Sequence, residues 1–227
     1  MIIERGKRRG EIILRPKLHL PVTSSLVWMH GLGDSAEGWL DVFGTSETFA
    51  PEGMRVRLLT APMSPVTLNS GFKTNSWYDI SDLGTNEGRA NQADIDHNSQ
   101  DIQKVIEEEA QLQEGQVSRV FVGGFSQGCA MAMHNAFLRQ GTLGGVIGLS
   151  GYVPPLSKIS NRLSPTLIVH GEADSVVSID DAEMSYKRED FLKRPEVEFH
   201  RIPYLEHTLN QQVLSICRRF LLKVLKK

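Results

Sequence analysis

Short apolar runs separated by stretches of helical periodicity recur along nearly the whole chain. Residues 25–29, 54–61, 120–122, 143–149 and 166–170 are almost continuously apolar or β-favouring, which predicts strands buried on both faces. Residues 197–202 alternate as a strand does. Between these runs the spacing changes to that of helices. Trp39 and Phe43 lie four apart on a short helix. Residues 90–114 carry Ile95, Ile102, Val105, Ile106 and Leu112 at helical intervals. Residues 130–137 are rich in helix formers, and 179–192 read as a polar amphipathic helix. A terminal helix, opened by His207, has a stripe of Leu209, Val213, Leu214, Cys217, Phe220, Leu221 and Val224. Residues 10–20 suggest an edge strand or hairpin. With no internal repeat, low-complexity tract or linker, residues 1–227 are expected to form one α/β domain with a mostly parallel sheet covered by helices on both faces.

Composition narrows the function classes. A chain of 227 residues can bury a single large core. A net charge of -2 offers no electrostatic reason to bind nucleic acid or an anionic membrane. The N-terminus has a basic cluster but no apolar run of signal-peptide kind, Ile2 stands where myristoylation needs glycine, and no stretch approaches the length of a membrane span. Two cysteines, Cys129 and Cys217, make no disulfide framework and point to a reducing compartment.

The chemistry centres on Gly124-Phe125-Ser126-Gln127-Gly128, a G-x-S-x-G sequence set between a buried strand and a helix. A sharp strand-to-helix turn would hold the serine in strained dihedrals, with glycines where a Cβ would collide. Ser126 is therefore the candidate nucleophile. A phosphate-binding loop is disfavoured, since no Gly-Lys-Ser/Thr occurs there. The first core strand runs into His30-Gly31-Leu32-Gly33-Asp34, so the backbone N–H groups of Leu32 and Gln127 are the candidate oxyanion donors. In parallel sheets, reacting groups collect at the carboxyl ends of the strands. That selects His207, after the last strand, as base, and Asp174, in the turn after 166–170, as its orienting acid, with Asp180, Asp181 and Glu172 as alternatives. His30 and His170, at strand ends, read as hydrogen-bonded supporting or core groups. Asp94, Asp96 and His97 lie in a polar helix start where carboxylates are expected anyway; neither metal nor cofactor is expected. Residues 62–82 form a long segment with Leu68, Phe72, Trp77 and Tyr78, which either fold back as a satellite core or, with the loop around Pro154, wall an apolar substrate groove.

Five motifs in order, His30-Gly31-Leu32-Gly33-Asp34, Ala61-Pro62 with Pro65-Val66-Thr67-Leu68-Asn69, Ser76-Trp77-Tyr78-Asp79-Ile80, Gly124 to Gly128, and His170-Gly171 with Asp174, resemble the acyl-protein thioesterase family, also described as lysophospholipases/carboxylesterases. The resemblance covers about residues 20–222. It implies an α/β-hydrolase that cleaves long-chain acyl thioesters on protein cysteines and oxygen esters such as lysophospholipids. It implies Ser126, Asp174 and His207 as the triad and Leu32 and Gln127 as oxyanion donors. Cys129 stands where the family usually has a second glycine, Ser175 where it has proline, Glu206 where glycine precedes the histidine, and 70–75 where a methionine-rich segment is common. The expected partners are S-acylated proteins or lysophospholipid and ester substrates, with no nucleic acid, no integral membrane segment, at most transient membrane contact, and a monomer or weak homodimer in the cytoplasm. Two rivals stay open: a carboxylesterase preferring short-chain or small-molecule esters, and a non-catalytic interaction protein of the same fold.

Overall fold

The computed structural model describes residues 1–17, 19–83, 90–139, 141–159 and 164–226. Along the chain run β1 (Ile2–Arg5), β2 (Ile12–Arg15), β3 (Ser24–Met29), α1 (Leu40–Phe43), β4 (Met54–Leu59), β5 (Met63–Pro65), β6 (Lys73–Asn75), α2 (Gln92–Leu112), β7 (Val120–Phe125), α3 (Gln127–Leu138), β8 (Gly145–Leu149), β9 (Thr166–Gly171), α4 (Ile179–Tyr186), β10 (Val197–Ile202) and α5 (Gln211–Leu225). Eight strands make one sheet in the order β1-β2-β4-β3-β7-β8-β9-β10. From β4 to β10 every neighbouring pair is parallel, and only β1 and β2 join antiparallel. β5 and β6 pair separately, within the long segment 62–82.

The apolar runs become central strands because both of their faces are covered. Along β3, Leu26 and Trp28 belong to one core and Val27 and Met29 to the other, as a two-residue period requires. Trp28 packs against Trp39, Phe43 and Phe49 at ring-centroid distances of 4.8, 5.3 and 5.7 Å, which is why the short helix at residues 37–43 is held. The opposite core takes Ile102, Val105 and Ile106 of α2 and Ala130 to Met133 of α3. Strand order reverses at β3, with β4 on one side and β7 on the other, so the exits of β3 and β7 flank a crevice where such sheets bind ligands.

Three details differ from the expected elements. β1 has no strong apolar signature and forms by pairing with β2; Leu18, in the expected 10–20 element, lies outside the described residues. The helix expected over 179–192 ends at Tyr186 and gives way to 3₁₀ turns, with Asp190 at φ 55. That break delivers Phe191 into the core, edge-on to Phe137 at 5.5 Å. The terminal helix begins at Gln211, capped by Asn210, whose side chain accepts the Val213 amide, so His207 stays on the preceding loop.

β4 also buries charge that its pattern does not announce. Arg57 donates to Glu11 at 2.5 Å and to Glu109 at 3.1 Å, and Arg55 donates to Glu109 at 3.1 Å, with both glutamates almost fully buried. This network fastens the antiparallel edge to β4 and α2. Removing one partner leaves buried charge uncompensated, so Glu109→Gln is expected to lose about 3 kcal/mol of unfolding free energy. Equilibrium urea denaturation checks it; a loss below about 1 kcal/mol would show that water reaches the guanidinium groups.

Candidate active site

Ser126 joins β7 to α3 with φ 54 and ψ -119, a conformation an L-residue adopts only under constraint. The constraint is visible on both sides. A Cβ on Gly124 would lie 2.3 Å from Gly128 O, and one on Gly128 would lie 2.1 Å from Met29 O. The Ser126 amide donates to Leu149 O at 2.8 Å, fixing the turn to β8. Gln127 is the first residue of α3, so its amide has no acceptor from a preceding helical turn and sits at the positive end of the helix dipole.

The loop after β3 lies against this turn: a Cβ on Gly31 would come 3.3 Å from Ser126 Cβ. Buried His30 holds the loop. Its Nδ1–H donates to Gly31 O at 2.6 Å, and its Nε2 accepts the Ala61 amide at 3.0 Å. Burial lowers the His30 pKa against weaker opposing contributions from Gly31 and Asp34, so the ring is neutral with one donor and one acceptor. Gly31 C=O and Leu32 N–H share one planar trans peptide, so gripping the carbonyl also fixes the direction of the Leu32 amide.

Asp174 lies in the turn after β9. Its Oδ1 accepts the amides of Val176 and Val177, both at 2.9 Å, and its Oδ2 accepts His207 Nδ1–H at 2.7 Å. His170 Nε2 stands 3.4 Å from the same Oδ2 and donates to Val177 O at 2.8 Å. Burial alone would raise the Asp174 pKa, but the bonds from His170, His207 and Val177 outweigh it and hold the carboxyl well below its ordinary value. With Nδ1 donating to a carboxylate, His207 keeps Nε2 as a bare acceptor. The Phe125 ring, adjoining Ser126, lies 4.7 Å from the His207 ring. The two loops are laced together by Glu172 N to Ile202 O and Ala173 N to Leu205 O, each at 3.0 Å. Among the described residues no hydrogen bond joins Ser126 Oγ to His207. The alternative acids go elsewhere: Glu172 pairs with Arg201 at 3.1 Å, and Asp180 and Asp181 occupy the first turn of α4.

The five apolar residues singled out for substrate differ widely in exposure. Trp77 and Tyr78 are buried in the core beneath α3; Leu68 is half-buried, Pro154 is buried, and Phe72, between β5 and β6, is 77% exposed. A residue the sequence marked only for its amide secures this segment. The buried Gln127 side chain accepts from Trp77 N at 2.9 Å and donates to Tyr78 O at 2.8 Å and Ser76 Oγ at 3.1 Å. Trp77 Nε1 donates to His30 O, and the Tyr78 and Tyr152 hydroxyls meet at 2.8 Å. No sequence signal distinguishes such a glutamine from an exposed one. A cavity of about 740 Å³ is lined by Trp77 and Tyr78 together with Arg8, Asp94 and Asn98, and its lining includes neither Ser126 nor His207. It is therefore not where these reactive groups converge. The carboxylates and histidine of the α2 start do not cluster: Asp94 accepts the Asp79 amide, and Asp96 bonds Gln92.

Cys129, one turn into α3, is fully buried against Gly148 and Gly151, and burial pushes its thiol up to about 12 despite opposing bonds from Tyr186 and Tyr152. Iodoacetamide under native conditions is accordingly expected to leave esterase activity essentially intact. Stoichiometric inactivation with Cys129 modified would contradict that burial.

The model of the Phospholipase/Carboxylesterase family matches residues 13–225. Acyl-protein thioesterase 1 homolog 1 of Dictyostelium discoideum is 34% identical over 212 residues, which cover 90% of this chain and 92% of that protein. Among crystal structures, Zea mays acyl-protein thioesterase 2 superposes with a TM-score of 0.76 at 26% identity, covering 95% of this chain and 98% of the other. Arabidopsis thaliana SOBER1 gives a TM-score of 0.75 at 27% identity, with coverages of 89% and 99%.

Proposed function

The chain belongs to the phospholipase/carboxylesterase family of α/β-hydrolases and is a serine hydrolase of the thioesterase/carboxylesterase type; from that premise we propose that it removes long acyl chains from protein cysteines through an acyl-enzyme on Ser126. Ser126 Oγ attacks the thioester carbonyl while His207 Nε2 takes its proton. The amides of Leu32 and Gln127 stabilise the oxyanion. The tetrahedral intermediate collapses, the C–S bond breaks, and the cysteine sulfur leaves with the proton returned by His207. Water, activated by the same imidazole, then releases the fatty acid and regenerates Ser126. Asp174 keeps His207 in the Nδ1–H tautomer and stabilises the imidazolium. The observation that carries this reading is the 2.7 Å Asp174–His207 bond beside the strained Ser126 turn.

The acyl chain is proposed to run over Leu68, Trp77, Tyr78, Phe72 and the loop around Pro154. The bond from Gln127 to the Trp77 and Tyr78 backbone favours a rigid floor there. Each fully buried CH₂ contributes about 0.8 kcal/mol, so kcat/KM should rise at least tenfold from C2 to C8–C16 thioesters, measured below their micellar concentrations. A maximum at C2–C4 with a steep fall beyond would instead establish the short-chain carboxylesterase. The whole chain is proposed to act as one domain in the cytoplasm. Among the described residues no helix is long and apolar enough to cross a membrane, and both cysteines are free and buried.

A further inference from the structure

Among the described residues Tyr204 is the most exposed large hydrophobic side chain, at 94%, and it stands in the left-handed region with φ 60. It occupies a four-residue turn from Ile202 to Leu205, closed by Leu205 N to Ile202 O at 3.4 Å. Pro203 presets the first corner, and Tyr204 takes the second, where glycine or asparagine avoids strain. A tyrosine there gains no packing in return for its strained backbone. Such a cost at an exposed aromatic points to a contact made outside the chain.

Its position says which contact. Tyr204 lies three positions before His207, a span of at most about 11 Å. The turn is held rigidly to the Asp174 loop by Ala173 N to Leu205 O and Glu172 N to Ile202 O. The imidazole that takes the serine proton must also deliver it to the leaving atom, so the leaving group lies on the histidine side of the scissile bond. Groups on the His207 loop therefore face what the acyl chain is being removed from. Glu206, also on this loop, is exposed and has no ion-pair partner among the described residues, whereas Glu172 and Glu183 are engaged by Arg201. An exposed aromatic ring and an available carboxylate two positions apart on one loop suit a cation that can also donate hydrogen bonds, as Arg and Lys do and a quaternary ammonium cannot.

We infer that Tyr204 and Glu206 form a recognition site for a basic side chain on the polypeptide that carries the acylated cysteine, an inference that rests on the thioesterase reading above. The test uses two S-octanoyl-cysteine peptides, identical except for Arg or Gln beside the cysteine, with p-nitrophenyl octanoate and lysophosphatidylcholine as further substrates. Wild-type kcat/KM is expected to favour the Arg peptide at least fivefold. Tyr204→Gly and Glu206→Gln should each bring that ratio below twofold, and Tyr204→Gly should raise Tm by about 2–4 °C because glycine accepts the turn. Equal proportional losses on both peptides would overturn the inference, since Tyr204 would then act by holding the His207 loop. A loss confined to lysophosphatidylcholine would overturn it in favour of a quaternary ammonium headgroup. Cleavage of both peptides with equal kcat/KM by the wild type overturns this inference alone. Cleavage of p-nitrophenyl octanoate but of neither peptide sinks the thioesterase reading and this site with it.

Discussion

His207→Ala is expected to lower kcat by about 10⁴-fold or more on oxygen esters and thioesters alike. A serine hydroxyl near its free pKa is a weak nucleophile and depends on the imidazole to take its proton. His207 is half-buried on a loop, and its removal leaves Asp174 with the amides of Val176 and Val177 and with His170. The fold should therefore survive, and circular dichroism on the variant separates lost chemistry from lost structure. Retention of more than a tenth of wild-type turnover on p-nitrophenyl acetate would remove His207 from the mechanism.

Asp174→Asn is expected to reduce kcat by a comparable factor, about 10⁴, through the wrong imidazole tautomer. The Asn oxygen will prefer the two valine amides, which turns its NH₂ toward His207 Nδ1 and forces the proton onto Nε2. The same substitution has a pH signature. The Asp174 pKa in the fold lies below its ordinary 3.8, so the ionised group stabilises the folded chain above that value. That contribution is lost as pH falls below about 4 toward the folded pKa, because the carboxylate must then be protonated at the expense of its bonds. The wild type should thus be more stable than Asp174→Asn at pH 7 by a margin that shrinks near pH 3. Urea unfolding at the two pH values measures it. An equal margin at both would mean that the carboxylate charge makes no net contribution, and full activity of Asp174→Asn would move the acid's role to Asp180, Asp181 or Glu172.

The candidate site was legible where chemistry is tied to local pattern. Ser126 follows from two glycines flanking a strand-to-helix turn, and Asp174 and His207 follow from the strand ends to which they attach. His30 and His170 were read correctly as hydrogen-bonded groups at strand ends. The apolar wall was not legible in the same way. Trp77 and Tyr78 are hydrophobic whether they line a groove or fill a core, and only the Gln127 side chain, acting across about fifty positions of sequence, shows them pinned beneath α3. The strain at Tyr204 was equally hidden, since Pro-Tyr reads as an ordinary turn until a positive φ with no packing is seen.

By itself the sequence determined the α/β class and the parallel core strands and pointed to the candidate residues of the site, because periodicity and turn sterics act within a few residues and need no knowledge of the rest of the chain. Tertiary structure alone decided the rest. Arg55 and Arg57 became core residues because Glu11 and Glu109 arrive from elsewhere to neutralise them. Asp174 was singled out from its acidic neighbours because the β10 loop brings His207 to its Oδ2. β1 became a strand because β2 offered it an edge. In each case the deciding free energy is that of a long-range pair, a desolvated charge, a shared proton or an unpaired strand edge, and such a pair has no representation in the local spacing of residues.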